Sequence, residues 1–264
     1  AESANYPFCT IEPNVGIVSV PDARLQVLSD ISGSSKLIYA PITFTDIAGL
    51  VKGASKGEGL GNQFLTNIRE TSAIAHVVRC FEDDDIVHVS GRVDPLDDIS
   101  IINTELLLAD LDLIEKLVAS QQKKARSGDK EEKLRLTLFE KIEAHIGDEH
   151  FLRTLDLDES EQLLLKGFHF LTAKKMVYVA NVKEDDLGGT NAHVEAVKSY
   201  ATSQGDEVVV ICAQIEQELS ELDAEESADY LAELGLSESG LDLLSQACFD
   251  LLGLQTYLTT GEKE

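Results

Sequence analysis

The sequence is poor in the residues that build cross-linked, metal-bound or membrane-spanning proteins, and each shortage narrows what the chain can be. Its 264 residues hold four cysteines, Cys9, Cys80, Cys212 and Cys248, far apart and without a CxxC pair, and six histidines without ligand spacing. This argues against a disulfide framework or a zinc centre and fits the reducing cytoplasm. Long apolar runs are missing too. Stretches such as LLLADLDLI are broken by acids well short of the ~18 apolar residues that a membrane span requires. No basic-then-apolar leader opens the chain. Cations are scarce, with 22 Lys and Arg against 48 Asp and Glu and a formal net charge of −26. A surface of that sign repels phosphate over most of its area, which speaks against wrapping duplex nucleic acid or reading DNA sequence. The basic cluster KKARSGDK, Lys123 to Lys130, is a local exception and reads first as the solvated tip of a helical hairpin. Methionine occurs once, at Met176, and the chain opens at Ala1. It therefore reads as processed, or as beginning inside a longer protein.

What is present fits a soluble globular protein, 43% hydrophobic and 27% charged, long enough for one large domain or two modest ones. Short β-rich runs recur: VGIVSV (15–20), LIYAPITFTD (37–46), AHVVRCF (75–81), KMVYVAN (175–181) and EVVVIC (207–212). Several are almost wholly apolar, as strands covered on both faces are. Helical patterns at 62–71, 191–203 and 241–252 separate most of them, which predicts an α/β fold with a mostly parallel sheet.

The alternation stops between Asp97 and Phe168. Asp97 or Asp98 offers a cap, and apolar residues follow at Ile102, Leu106, Ala109, Leu113 and Leu117. After an SGD break, Leu134, Leu138, Ile142 and Ile146 recur every four residues. Two amphipathic helices joined by a short polar turn make an antiparallel hairpin. A short third helix is expected at 158–166.

Three stretches carry chemistry. In FTDIAGL an apolar strand delivers Asp46 at its carboxyl end, the edge at which open α/β sheets bind ligands, and Gly49 follows three residues later. Such an Asp can hold Mg²⁺ through a water, and a glycine amide can approach a γ-phosphate because no Cβ intervenes. Glycines at 53, 57, 59 and 61 extend this segment into a long loop able to reorder between nucleotide states. NVKE, Asn181 to Glu184, ends a later strand, and CAQIE, Cys212 to Glu216, follows the next. Nucleotide switches read their base at these two strand ends, usually through Asn-Lys-x-Asp. Here Lys stands third, and Glu184 replaces the guanine-reading Asp with one more methylene, which favours another purine.

These stretches, with NYPFCTIEPNVGIVSVPD, INTELLLADLDLIEKL and LGLQTYLTTG, closely resemble the YchF family of Obg-related ATPases, from Asn5 to the end. The resemblance implies a P-loop NTPase-type α/β sheet carrying a helical coiled-coil insertion and a C-terminal TGS domain. It also implies ATP hydrolysis in preference to GTP, Mg²⁺ as cofactor, and association with the ribosome. Thr10 and Asp46 then correspond to the magnesium-holding residues, Gly49 to the γ-phosphate sensor, and His88 to the catalytic histidine. The last is needed because Leu50 stands where many GTPases keep a water-orienting glutamine. Asn181, Val182, Glu184, Cys212, Ala213 and Gln214 would surround the base. The implied division is a nucleotide-binding domain at 1–96 and 169–252, a helical insertion at 97–168 and a linker at 253–264.

One element of the family pattern is lacking. The phosphate-cradling string GxxxxGK[ST] occurs nowhere in the chain, and neither does a Gly-Lys pair. The expectation is that this string, the first strand and the first helix precede Ala1, and that the TGS domain follows Glu264. On its own the chain is then expected to bind ATP poorly. A catalytically silent module acting through its hairpin, or a GTPase of the Obg class, are the competing readings.

Overall fold

The computed structural model describes residues 14–47, 60–86, 88 and 91–262. In chain order, β1 is Asn14–Ser19, α1 Ala23–Ser32, β2 Pro41–Asp46, α2 Leu60–Glu70, β3 Ala73–Arg79, α3 Pro95–Ala125 and α4 Lys130–Gly147. Then come α5 Glu159–Leu165, β4 Lys175–Asn181, α6 Ala192–Gln204, β5 Glu207–Ile211, α7 Ala213–Leu219, α8 Ala224–Glu233 and α9 Gly240–Leu251.

The strands form two sheets. β3, β4 and β5 run parallel in that order, with Arg79 opposite Asn181 and Asn181 opposite Ile211. β1 and β2 pair antiparallel, Asn14 opposite Asp46, so the sheet is parallel only in its β3–β5 part. β4 is central, and between its polar ends Lys175 and Asn181 the residues Met176 to Ala180 are all buried, as a strand covered on both faces requires. β1 departs from that expectation: Val15 and Ile17 are mostly exposed.

Helix α9 lies across the strands of both sheets. Leu244, Ala247 and Cys248 of α9 meet Val177 and Val179 of β4, Val209 and Ile211 of β5, and Ile42 of β2 in one apolar cluster. The opposite face of the parallel sheet carries α2, the base of α3 and α6, through Leu65, Ile68, Ile99, Leu106, Val194 and Val197. The architecture is three layers, helix on sheet on helix.

The helical hairpin is inserted between β3 and β4. Its start differs from the sequence expectation of Asp97 or Asp98. Asp94 is the cap, its carboxylate accepting from Asp97 N at 3.2 Å, and Pro95 opens the helix. Proline at a first helical position loses no hydrogen bond, which shifts the boundary upstream. α3 spans 31 residues, about 46 Å at 1.5 Å per residue. It zips against α4 through Ile114, Val118, Leu138, Phe139, Ile142 and Ile146. The predicted short helix appears as α5, with Asp158 and Glu161 closing a reciprocal capping box.

At the hairpin's base, the buried Asp110 carboxylate accepts from Leu171 N at 3.0 Å, Thr172 N at 2.7 Å and Thr172 Oγ1 at 2.8 Å. Arg69, in the last turn of α2, approaches it at 3.6 Å. Lys174 donates to the carbonyls of Arg69 and Thr71. One buried acid thus ties α3 to the lead-in of β4 and, through Arg69, to the end of α2. After α9 the chain runs back along α1, where Arg24 donates to Thr256 Oγ1 at 2.6 Å and Ser34 to the Gly261 carbonyl at 2.7 Å.

Candidate functional site

Because β3, β4 and β5 are parallel, their carboxyl ends share one edge, and the loops leaving that edge hold most of the expected site residues. Asn181 ends β4 at half-buried depth, and its Oδ1 accepts from Ala213 N at 3.0 Å. Cys212, the residue before α7, makes no side-chain cap of its own, so Asn181 caps that helix from the neighbouring strand. The expected small-residue turn at Cys212, Ala213 and Gln214 is therefore a strand-to-helix junction, with Ala213 and Gln214 already inside α7. Gln214 points along its own helix to Glu218 at 3.3 Å. Val182 is buried and donates its amide to Ile211 O at 2.8 Å. Glu184 opens a one-turn 3-10 helix, Glu184–Asp186, with its side chain exposed.

The loop after this turn is held by Asp186, which accepts from the amides of Thr190 and Asn191 and from both their side chains. The amide of Thr190 leads these donors in holding the Asp186 carboxyl below its ordinary pKa. Asn191 also donates to Cys80 O at 2.8 Å, tying the loop to the end of β3. Gly189 sits at φ +57, and a Cβ there would come within 2.7 Å of Val210. No other residue fits this turn against β5 without displacing it.

The loop after β3 is clamped from the same edge. Arg79 donates to the carbonyls of Phe81, Asp83 and Ile86, each at 3.0 Å, while its guanidinium lies 4.8 Å from the Phe81 ring. Lys183 pairs with Asp83 at 2.9 Å, and this contact pulls the Asp83 carboxyl below its usual range. His88 lies on this loop, and its Nε2 is 3.0 Å from Asp98 Oδ2 in the first turn of α3. Asp98, proposed from sequence as a cap, instead faces the expected catalytic histidine. The loops after β3 and β4 are thus joined by Lys183, and the first also to the hairpin by His88.

Asp46 ends β2 with its side chain exposed. The next residue, Ile47, packs on the core cluster that contains Cys80 and Val182, the residues just past the ends of β3 and β4. A lone exposed carboxylate at a strand end suits Mg²⁺, which keeps most of its waters and takes few protein ligands beside phosphate. Thr10, Gly49 and Leu50 lie outside the described residues. Among the described residues no cluster of three or more His, Cys, Asp or Glu could hold a metal by itself. Cys80 and Cys248 are buried and free, and burial pushes their thiols up to about 12 and about 11, so neither is a nucleophile at neutral pH.

Sequence reasoning missed Arg79, Asp83, Lys183 and Asp186. Their signal was the density of charge in the two loops, FEDDD and NVKEDD, beyond what a solvated turn needs.

The ribosome-binding ATPase YchF of Haemophilus ducreyi is 52% identical over 263 residues, all of this chain and 72% of that protein. Its Bacillus subtilis counterpart is 51% identical over 266 residues, covering 73% of that protein. The chain belongs to the YchF family. The solved structure of the Schizosaccharomyces pombe YchF GTPase superposes with a TM-score of 0.84 at 34% identity, over 98% of this chain and 71% of that one. A family model described as 50S ribosome-binding GTPase matches residues 1–108, the part that holds Asp46 and His88. In this chain the half-buried Asn181 and exposed Glu184 lie at the carboxyl edge of β4, and the loop that carries His88 leaves the same edge from β3.

Proposed function

We propose that the complete protein hydrolyses ATP in a Mg²⁺-dependent, ribosome-associated cycle. The observation that carries this reading is the tied edge. Asn181 accepts from the amide of Ala213, Lys183 bridges to Asp83, and His88 sits on the Asp83 loop, so the groups proposed for the base and for the attacking water share one rim. The names of the relatives, ribosome-binding ATPases and a GTPase, support a nucleotide hydrolase and leave the base to the chemistry of Glu184.

In this reading Asp46 and Thr10 hold Mg²⁺, which neutralises the developing phosphate charge when bound. The Gly49 amide meets the γ-phosphate. His88 orients the attacking water, because Leu50 has no group to do so. Asn181, Val182, Glu184 and the Cys212–Gln214 junction surround the base. A GxxxxGK[ST] loop with its strand belongs upstream of these residues, a TGS domain downstream, and the 264-residue chain alone lacks the phosphate grip.

Two features support the missing strand. β2 and β3 each pair on one side only among the described residues, and both lie under α9. Val77 of β3 is 63% exposed on the strand face that also carries Ala75 toward the α9 cluster.

Phosphate release by the complete gene product, with ATP or GTP and with Mg²⁺ or EDTA, tests the assignment. Turnover of ATP over GTP that stops with EDTA is expected; GTP preference makes it an Obg-type GTPase, and no turnover of either makes it an interaction module. In calorimetry the 264-residue chain should show no ATP binding at micromolar concentration. A micromolar Kd would overturn the incomplete-site reading.

A further inference from the structure

The hairpin tip is the one place where this acidic protein gathers cations. Six of its 22 Lys and Arg fall between residues 123 and 135: Lys123, Lys124, Arg126, Lys130, Lys133 and Arg135. Within the same span stand three acids, Asp129, Glu131 and Glu132, giving a local formal charge of +3 in a chain of −26. Five of the six cations are exposed, with Arg135 intermediate.

The acids are mostly occupied. Asp129 caps α4, accepting from Glu131 N at 2.7 Å and from Glu132 N at 3.4 Å. Glu132 takes the side-chain amide of Gln121, through both its carboxylate and its backbone carbonyl at 3.0 Å. Among the described ion pairs, none uses a tip cation, whereas further down the hairpin Lys116 pairs with Asp112 and Lys141 with Glu161. The platform also has a defined backbone. Gly128 takes the left-handed φ of +86 that the turn requires, and Gln121 and Ala125 are buried beneath it. Positive charge is held out on this turn, more than eight helical turns from the start of the 31-residue α3.

We infer that this tip docks on RNA phosphate, the backbone of ribosomal RNA. The inference rests on the ribosome association proposed above and names the surface that would make it. RNA is favoured over an acidic protein because a protein interface needs a desolvated apolar or aromatic centre. Here Leu134, 62% exposed, is the only large apolar side chain open at the tip among the described residues. Exposed cations gathered on one turn suffice for phosphates, and the surrounding negative field confines the contact to that turn.

The test uses the complete gene product and its variant K123Q/K124Q/K130Q/K133Q, binding purified ribosomal subunits and protein-free ribosomal RNA from 50 to 200 mM KCl. Four lost phosphate contacts should lower affinity for both about tenfold or more, and should flatten the log-log salt slope by about 3. ATP turnover and melting temperature should be unchanged. Equal affinity and slope for variant and wild type would overturn the inference while leaving the proposed function standing. A loss on ribosomes with none on free RNA would assign the tip to an acidic ribosomal protein and overturn it too. Wild-type protein that binds neither removes both the inference and the ribosomal part of the proposed function.

Discussion

His76 on β3 shows how one residue type behaves when the fold removes its water. Its Nδ1 is buried without a hydrogen-bond partner, its ring lies 5.6 Å from that of Tyr178, and burial lowers its pKa from 6.5 to about 4. The folded state therefore binds fewer protons than the unfolded state between those two values. Stability from this group is fully present above about pH 6.5 and is lost as pH falls toward 4, by roughly 3 kcal/mol at 1.36 kcal/mol per unit. Burial raises the carboxyls of Asp110, Asp206 and Glu216, which act in the opposite sense from about pH 4 upward. The comparison of wild type with His76→Phe cancels them. Urea melts should show the two proteins diverging by up to about 3 kcal/mol between pH 6.5 and 4, the variant gaining. Parallel pH profiles would mean that the imidazole reaches solvent.

At the scale of elements, the hairpin and the sheet meet at Asp110, whose carboxylate serves two buried amides and a hydroxyl. Asp110→Ala leaves those donors unpaired and removes the counter-charge of Arg69. The expected loss is about 3–5 kcal/mol in urea unfolding, against about 1 kcal/mol for Thr172→Ala, which removes one neutral hydroxyl that donates to Asp110 and accepts a 3.3 Å bond from Leu152 N. A loss near 1 kcal/mol for both would mean that the 171–172 segment relaxes to water without Asp110. The periodic pattern that revealed the hairpin could not reveal this contact, because an Asp in a run of leucines reads as an exposed interruption. Elements with a strong pattern were legible: β4 within its observed bounds, α6 and α9 within a residue, and the Asp158 cap. α1, α7 and α8 were not read as helices. α8, AEESADYLAE, buries no residue fully and puts only Tyr230 and Leu231 as large apolar side chains against the core, too short a run to stand out among its acids. At the site, the strand ends carrying Asn181 and Glu184 were readable from order and residue type. The Lys183 to Asp83 bridge joins loops far apart in sequence, and the His88 to Asp98 contact links a loop to the first turn of α3; no helical or strand periodicity encodes either.

The whole molecule is a pair of sheets joined by a helix, and its stability should be divided accordingly. β4 is hydrogen-bonded on both sides, by β3 and β5, and its side chains are buried on both faces. β2 and β3 have one described partner each, and β1 shows Val15 and Ile17 to water. An edge amide opens with local fraying, whereas a central one waits for a larger unfolding event. In hydrogen exchange of the 264-residue chain, β4 amides should be protected close to the global limit, and those of β2 and the free edge of β3 should exchange at least about a hundredfold faster. If a further strand belongs between β2 and β3, the complete gene product should protect β2 and β3 nearly to the level of β4 and leave β4 unchanged. Equal protection of β2 and β3 in both proteins would mean that these edges are closed without it. Such a result would remove the structural support for an upstream strand.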